Sequence, residues 1–509
     1  MEPSSNKTIL KNTLFLYFRM ALITIVGLYT ARVVLQKLGV EDYGIYTIAG
    51  SAVALFSFLS GALGSASSRF ITVEIGKSSC SNNTNLIRCF KTTKSIHAIL
   101  ALVILVICET VGLFILKKAT IPDERFTAAM WAYQISVLTA MFNVTQVPYT
   151  ALIIAHEKMG IYAYVSIFEG ILKLLICYLL VYSPIDKLVW YALLLFIVQV
   201  SVLISYRVYC RHMFTECQKG FLVDKTFFKP IMLFSFWNLF GSLSSTLLTQ
   251  GATIVISFFF GPVIVTARSI ANQIKNHVIS FVNNVRVAMN PQIIKRHAAG
   301  EEESSRKLLF LSTNITFYLM LFFILPLYLE SKFILDIWLE EVPEYTVEFM
   351  RLVLIELLFF VYDVSFYQIF QSEGRLKENA IICPILDVIG IAVVAFLYSI
   401  GGSVLIIGWC MIILSFLQGV IVKPWLAIKF FGYAIRDFVK VYVNNIVVLL
   451  IASIIPCVFS HVLPDGIFNS CVIIILSMIS VIITVFLFGL NETERHQIKR
   501  IIYSRIAKN

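Results

Sequence analysis

Charged residues are scarce in this sequence. Asp, Glu, Lys and Arg together make up 14% of its 509 residues, whereas hydrophobic residues make up 59%. A soluble domain is about a quarter charged and about half apolar, and the mean hydropathy of +0.85 points away from that class. These proportions exclude an ordinary soluble domain and predict a polytopic integral membrane protein.

Motifs that bind cofactors or carry catalysis are also missing. The chain has no GxxxxGK[ST] sequence, so we expect no ATPase site of its own. Its ten cysteines include no CxxC pair and its seven histidines form no cluster, which disfavours a disulfide framework and a metal site. We therefore expect no catalytic residues, no metal and no cofactor. The N-terminal stretch lacks a small-residue cleavage site, so its first span is expected to remain in the product.

Long apolar segments recur through the whole chain and predict an all-α protein with about fourteen transmembrane helices. Their approximate limits are 11–36, 44–73, 95–116, 127–155, 160–182, 188–209, 230–260, 263–290, 308–329, 346–370, 379–399, 403–422, 441–460 and 467–489. Lys and Arg are frequent in the segments on the side of the N-terminus and rare in the opposite loops. The opposite loops contain Lys37, Lys117, Lys118, Arg125, Lys187 and Lys332. By the positive-inside rule, we expect both termini in the cytoplasm. The longest outer loop, 330–345, has room for a small interfacial helix only.

The eighth predicted span carries a polar stripe along its length. Its members, which share one face at 100° per residue, are Arg268, Asn272, Lys275, Asn276, Asn283, Arg286 and Asn290. Arg268 and Arg286 are about 27 Å apart along a helix, close to the thickness of a bilayer's hydrocarbon core. Charges at that depth are costly and normally face a bundle interior or a watery cavity. The stripe therefore predicts a substrate path, and a solvated surface helix is the alternative.

The second and eighth spans resemble each other when Gly39 is aligned with Gly261. Repeats an even number of spans apart have the same orientation, which predicts two six-helix lobes in a parallel pseudo-repeat. The predicted domains are 1–229, 230–440 and 441–509, the last being an appended helix pair with a basic tail. On span 2 the stripe positions are small residues or Tyr, which predicts either a tight helix contact or a widened cavity. These positions are Tyr46, Gly50, Ala54, Gly61, Gly64 and Ser68. Span 7 has a second polar wall, formed by Ser235, Asn238, Ser242, Thr246, Thr249, Thr253 and Ser257.

Intramembrane acids form another set. Glu169 and Lys173 are four residues apart on span 5, which predicts a local ion pair. Glu356 and Asp363 share one face of span 10, and Asp387 lies on span 11. Intramembrane carboxylates are candidates for coupling to H⁺ or Na⁺. For Glu356, the alternative is a salt bridge to Arg351.

Several motifs in order resemble those of a known family. They are KNTLFLYFRMALITIVGLYTARVVLQKLG at 11–39, VEDYGIY at 40–46, SSRF at 67–70, WNLFG at 237–241, FFFGPV at 258–263, ARSIANQI at 267–274, MNPQI at 289–293 and WLEEVPEY at 338–345. Together they resemble the polysaccharide-exporter branch of the MOP (multidrug/oligosaccharidyl-lipid/polysaccharide) superfamily. These are the Wzx-like flippases of O-antigen and capsule synthesis, especially Bacteroides-type forms.

The resemblance implies a MATE-like bundle around a central cavity with alternating access. It also implies an undecaprenyl-pyrophosphate-linked oligosaccharide as substrate, moved across the cytoplasmic (inner) membrane. Polysaccharide polymerase and chain-length machinery are the implied partners besides membrane lipids. Cavity arginines of the family lie on helices 1, 2 and 8, and the matching positions here are Arg19, Arg32, Arg69 and Arg268.

Three other functions fit the sequence less well. A drug exporter of the same superfamily accepts cations, which a basic cavity would repel. A membrane-embedded glycosyltransferase, such as a polymerase or ligase, would need a sizeable outer catalytic loop, and no such loop is predicted. A scaffold for a synthesis complex would leave the buried stripe unexplained.

Overall fold

The computed structural model describes residues 3–78, 84–156, 158–218, 220–464, 466–490, 492 and 495, and it gives no side-chain surroundings for residues 3–20. The described residues contain helices and no strand. The α-helices are α1 Pro3–Leu38, α2 Val40–Ala54, α3 Ser57–Ser78, α4 Thr84–Ile107, α5 Leu113–Lys118, α6 Asp123–Ala155, α7 Met159–Leu179, α8 Lys187–Met213, α9 Lys225–Thr246, α10 Ala252–Phe259, α11 Pro262–Ala298, α12 Glu302–Leu329, α13 Ser331–Trp338, α14 Thr346–Ser372, α15 Lys377–Ser399, α16 Ile406–Phe416, α17 Lys423–Phe431, α18 Ile435–Val462 and α19 Ile467–Thr484.

Four π-helical segments interrupt or extend these helices. Cys108–Gly112 joins α4 to α5, Leu247–Gly251 joins α9 to α10, Leu417–Val422 joins α16 to α17, and Val485–Gly489 extends α19. Among the residues that the structure describes, each of the fourteen predicted spans coincides with one long helix, with helices joined in this way, or, for span 44–73, with α2 and α3, which a two-residue turn separates. The short helix α13 lies in the loop where a small helix was predicted.

Length and composition separate the polar helices from the rest. Within the described residues, ten helices are long and apolar enough to cross a membrane, and the pair α2 and α3 adds an eleventh if it forms one span with a bend of 51°. Helix α11, which carries the polar stripe, is the least apolar of the long helices that the structure describes. The chain is thus an all-α, multi-pass membrane protein with one markedly polar long helix.

Helix boundaries follow local sequence signals. Asp186 caps α8 by accepting hydrogen bonds from the N–H groups of Leu188 and Val189 at 3.0 and 3.4 Å. Gly39, with φ of +88°, allows the sharp turn between α1 and α2. Such caps satisfy main-chain groups that the first helical turn leaves without partners.

Contacts divide the described chain into two compact units. Unit 1 comprises Met1–Thr266 and Asp387–Val404, and unit 2 comprises Ala267–Leu386 and Leu405–Asn509. The helices α9 and α10 belong to unit 1, whereas α18 and α19 belong to unit 2. These units group helices by contact rather than by repeat, so the predicted domains 1–229, 230–440 and 441–509 stay a prediction.

In unit 1, an ionic cluster joins the beginnings of three helices. Arg125 on α6 donates to both carboxylate oxygens of Asp42, at 2.9 and 2.7 Å. It also donates to those of Asp186, at 2.6 and 3.2 Å. This fork-like guanidinium geometry holds α2, α6 and α8 together at one end of the unit.

In unit 2, aromatic side chains fill the core between α12, α14 and α18. Phe317 stacks on Tyr362, and Phe366 meets Phe438 edge to face with ring centroids 5.0 Å apart. The Tyr362 hydroxyl accepts a hydrogen bond from Asn445 at 3.2 Å. Because these rings fix α14 in place, the acids of α14 are held at defined positions.

Candidate functional site

The apolar side of α11 packs into the protein and its polar stripe lies on the more accessible side. Ile270 is 2% exposed and Ile274 is buried, whereas Asn276 is exposed and Asn272 is half-buried. Arg268 is the exception, since its side chain is only 7% exposed. The cations of the stripe also have specific contacts, which distinguishes α11 from a solvated surface helix.

Lys275 forms an ion pair with Glu356 on α14. Its ammonium lies 2.5 Å from Oε1 of Glu356, whose side chain is 7% exposed, and 5.6 Å from the centroid of the Phe360 ring. The alternative pairing of Glu356 with Arg351 is wrong, because the Arg351 guanidinium lies over the ring of Tyr328 at 5.8 Å. The middle cation of the stripe is therefore neutralised by an acid that was predicted separately.

Arg286 is held further along the same two helices. It donates to Oδ1 of Asn283 at 2.9 Å and to the carbonyl oxygen of Val364 at 3.0 Å. Both acceptors are neutral, so these contacts orient the guanidinium without removing its charge.

Asp363 pairs with a cation that the sequence did not single out. The Lys423 ammonium lies 2.6 Å from Oδ1 of Asp363 and donates to the main-chain carbonyl of the same residue at 2.7 Å. The Lys423 side chain is 5% exposed. Lys423 directly follows the predicted span 403–422, and the structure places it inside the long helical segment Ile406–Phe431. The sequence did offer one indication of this pair, because Asp363 on span 10 has no cation near it along the helix.

A glycine brings the two partners of this pair together. A Cβ atom added to Gly419 would lie 2.8 Å from the main-chain nitrogen of Asp363 and 2.9 Å from the carbonyl oxygen of Phe359. The π-helical segment before α17 therefore touches α14 backbone to backbone. This close approach lets the Lys423 side chain reach Asp363.

Asp387 belongs to unit 1 and has a different environment. The Ser244 hydroxyl on α9 donates to Oδ2 of Asp387, and Asp387 is 3% exposed. Ser244 was not among the predicted polar residues of span 7. Many of the predicted hydroxyls donate to their own helix instead, as Thr246 does to Ser242 and Thr253 to Thr249.

The remaining basic candidates lie in unit 1. Arg69 is exposed and its guanidinium lies 4.5 Å from the ring centroid of Phe234 on α9. Arg32 is also exposed. Arg19 belongs to α1, but its side chain lies outside the described residues. The predicted pair of Glu169 and Lys173 is confirmed at 2.6 Å.

The small-residue face of span 2 combines the two predicted alternatives. Tyr46, Gly50 and Ala54 line a cavity in unit 1. Further along, a Cβ atom on Gly64 would lie 3.2 Å from the Val147 side chain, which is a tight helix contact. The face widens a cavity along α2 and packs closely along α3.

The described residues contain no group of three or more His, Cys, Asp or Glu side chains that could hold a metal ion. In unit 2, Lys275 pairs with Glu356 and Lys423 pairs with Asp363. The hydrogen bonds of Arg286 go to neutral oxygen atoms, which leaves its positive charge in place. Such a guanidinium can bind an anionic group by charge-assisted hydrogen bonds.

Comparisons with solved structures show the fold. Lipid II flippase MurJ in an inward closed conformation has a TM-score of 0.69 at 13% identity, covering 93% of this chain and 98% of that one. An inward-facing MATE multidrug transporter has a TM-score of 0.63 at 13% identity, covering 82% and 96%. A MOP superfamily transporter from Pyrococcus furiosus, described as having a binding pocket of reversed polarity, has a TM-score of 0.53 at 13% identity, covering 81% and 95%.

Comparisons with sequence families and curated proteins differ in outcome. The polysaccharide biosynthesis protein family matches residues 9–295, and the MatE family matches residues 238–396. None of the curated proteins matches this chain. Because the first match covers more than half of the sequence, and the fold agrees with it, the chain belongs to the polysaccharide biosynthesis protein family, within the polysaccharide-flippase branch of the MOP superfamily.

Proposed function

We propose that this protein moves an undecaprenyl-pyrophosphate-linked oligosaccharide, such as an O-antigen or capsule repeat unit, from the inner to the outer leaflet of the cytoplasmic membrane. The observation that carries the proposal is the row of cations on α11, a long polar helix among apolar ones. Membership of a polysaccharide biosynthesis family supports a sugar-bearing substrate. Both termini are placed in the cytoplasm, as the distribution of Lys and Arg indicates.

The charge balance of the row suits an anionic head group. Lys275 is paired with Glu356, whereas Arg286 donates to the neutral oxygen atoms of Asn283 and Val364 and keeps its positive charge. Pyrophosphate is strongly anionic and would compensate the excess positive charge. In a low-dielectric surrounding this complementarity is worth more than at a water-exposed surface.

Exchange of partners would let the head group move. Breaking a buried ion pair costs about 3–5 kcal/mol when one charge is left alone. A phosphate oxygen that replaces Glu356 as the partner of Lys275 removes most of that cost. Since Lys275 lies between Arg268 and Arg286 along α11, the head group can pass along the row while it keeps a cationic partner.

The decisive experiment removes this ion pair without leaving an uncompensated charge. The double variant Lys275→Met, Glu356→Leu should fold, because both charges are replaced by apolar groups of similar size. We expect it to lose surface polysaccharide and to accumulate lipid-linked repeat units in the inner leaflet. Full surface polysaccharide at normal protein levels would overturn the assignment of Lys275 to substrate binding.

The matched control is an ion pair within the single helix α7. Glu169 and Lys173 are more exposed than Lys275 and Glu356, with side-chain exposures of 35% and 45%. The double variant Glu169→Leu, Lys173→Met removes the same two charges from α7. We expect it to transport normally.

We further propose that transport involves no covalent step and is coupled to H⁺ or Na⁺. Asp387 is buried and receives a hydrogen bond from Ser244, and buried intramembrane carboxylates are candidates for binding a coupling ion. Asp387→Asn should remove the dependence of transport on pH or Na⁺, measured with reconstituted vesicles. Unchanged dependence would assign Asp387 a structural role. The polymerase and chain-length machinery would then act on the delivered repeat unit.

Export of cationic drugs is the second candidate, because the MatE family matches residues 238–396. A cationic row repels cationic drugs, which argues against it. Expression in a drug-sensitive host should therefore leave resistance to cationic dyes unchanged. A clear gain of resistance that is lost in Asp387→Asn would favour the drug exporter.

A further inference from the structure

Unit 1 contains a cavity of about 270 Å³ at the bend between α2 and α3. The helix axes differ by 51° there, and α4, α6 and α8 complete the wall. This volume lies just below the range of about 300–1,000 Å³ that is typical of ligand pockets, so the cavity suits one small ring rather than a whole oligosaccharide.

The wall is mostly apolar, carries several polar groups and contains no charged side chain. Its residues with hydroxyl or amide groups are Tyr46, Ser57, Ser60, Ser136, Thr139 and Asn143. Ser136 and Thr139 donate to the carbonyl oxygens of their own helix at 2.8 Å. The side chains of Ser57, Ser60 and Asn143 have no hydrogen-bond partner among the described residues. These three side chains are therefore available to a ligand.

One aromatic ring is held rigidly at the edge of the cavity. Tyr46 meets Tyr191 edge to face with ring centroids 4.9 Å apart. Apolar side chains, among them Val53, Ile104 and Val144, form the rest of the wall. The Tyr46 ring, with hydrogen-bonding groups nearby, suits a ligand that has apolar C–H faces and a hydroxyl-bearing edge.

We propose that this cavity binds one uncharged sugar ring of the transported substrate. The inference rests on the proposed function and adds a subsite built from residues of unit 1. A charged sugar would lose its hydration here without gaining an opposite charge, which is costly. A purely apolar ligand would leave the hydroxyls and the amide without partners. A neutral pyranose satisfies both surfaces.

Gly50 provides a way to test the cavity without disturbing the packing. A Cβ atom added there has no neighbour within 4 Å, so the position opens into free space. Gly50→Leu should fill the cavity, and Gly50→Ala should leave most of it open while favouring the helix. The two variants differ in cavity volume alone, and neither changes a charge.

The experiment uses the full-length protein in nanodiscs and two probes, undecaprenyl pyrophosphate and undecaprenyl pyrophosphate carrying a single N-acetylglucosamine. We expect the native protein to bind the sugar-bearing probe about tenfold or more tighter, as one or two neutral hydrogen bonds and ring burial provide. Gly50→Leu should abolish this preference and leave the Kd for the bare probe unchanged. Gly50→Ala should keep the preference.

Each result has one meaning. Equal affinity of the native protein for the two probes, or a preference that persists in Gly50→Leu, would overturn the sugar subsite alone. Binding of neither probe to the native protein would overturn the proposed function and this inference together. If Gly50→Leu fails to fold, the double variant Ser60→Ala, Asn143→Leu replaces it, because it removes the hydrogen-bonding groups and keeps the volume. A preference that survives in that variant would likewise reject the subsite.

Discussion

Thr266 donates a hydrogen bond to the carbonyl oxygen of Val40 at 2.7 Å. In the repeat register that aligns Gly39 with Gly261, Val40 corresponds to Pro262 and Gly44 corresponds to Thr266. Gly44 lies directly against Pro262, since an added Cβ atom would be 2.1 Å from the Pro262 carbonyl oxygen. The two contacts are thus the same pair of positions exchanged between the repeats, as across a pseudo-two-fold axis.

This reciprocal contact predicts an effect of Gly44→Ala. The new methyl group clashes with main-chain atoms rather than with a flexible side chain, so α2 and the beginning of α11 must separate. In a Cys-free background, the buried position Val265, 1% exposed, is changed to Cys as a reporter. Maleimide labelling of that Cys should become faster in Gly44→Ala.

The control for this prediction is Gly50→Ala, which also adds a methyl group to α2 but into open space. Labelling should not change in the control. Equal labelling of the native protein and Gly44→Ala would show that the contact yields without separation of the helices.

The proposed orientation predicts which loops can be labelled from each side. Tyr182, 81% exposed, lies in the loop before α8, and Glu301 lies in the exposed turn before α12. Cys at position 182 should react only with an impermeant reagent outside the cell. Cys at position 301 should react only after the membrane is opened. Labelling of position 301 from outside the cell would show that the proposed topology is inverted. Cys at positions 83, 465 and 509 would also test it, but those residues lie outside the described structure.

The ionic cluster in unit 1 predicts a pH-dependent stability. Burial alone would raise the pKa of Asp186, but the hydrogen bonds and charge of Arg125 and the capping N–H groups hold it below its usual value. A carboxylate of this kind stabilises the fold above its unfolded-state pKa, near 3.9, and the stabilisation is lost as pH falls through the lower folded-state pKa.

Asp186→Asn should therefore lower the free energy of unfolding at pH 7 by about 1 kcal/mol, since the pair is partly exposed. The difference in the free energy of unfolding between the variant and the native protein should become smaller below about pH 4. Thermal unfolding in detergent at several pH values measures both effects. Asp123→Asn, at an exposed carboxylate in the first turn of α6, is the control and should show no such narrowing. A constant gap at every pH would contradict the assigned charge state.

The buried pair of Asp363 and Lys423 predicts a rescue. Asp363→Asn leaves an ammonium group that is 5% exposed without its counter-ion, which should cost about 3–5 kcal/mol. Adding Lys423→Met should restore most of the lost stability, as measured by thermal unfolding. If Asp363 also binds a coupling ion, the double variant should be stable but should have lost the pH or Na⁺ dependence of transport. A stable double variant with native ion dependence would leave Asp363 a structural residue only.

Local pattern was sufficient to predict where the long helices lie and the polar stripe of α11. Hydrophobic runs and the 3.6-residue period are properties of neighbouring residues, so they can be read without knowing what packs on them. The same reasoning predicted the pair of Glu169 and Lys173, since residues four apart in a helix are always close.

Partners from distant parts of the chain were decided by the tertiary structure alone. Lys275 and Glu356 are separated by 81 residues, and Lys423 and Asp363 by 60. The sequence offered Arg351 as the nearest cation for Glu356, and the packing of α11 on α14 brought Lys275 there instead. The sequence by itself determined which membrane-spanning segments carry charged residues. Which charges neutralise one another depended on the close approach of whole helices, as at Gly419, and that approach is a property of the packed bundle.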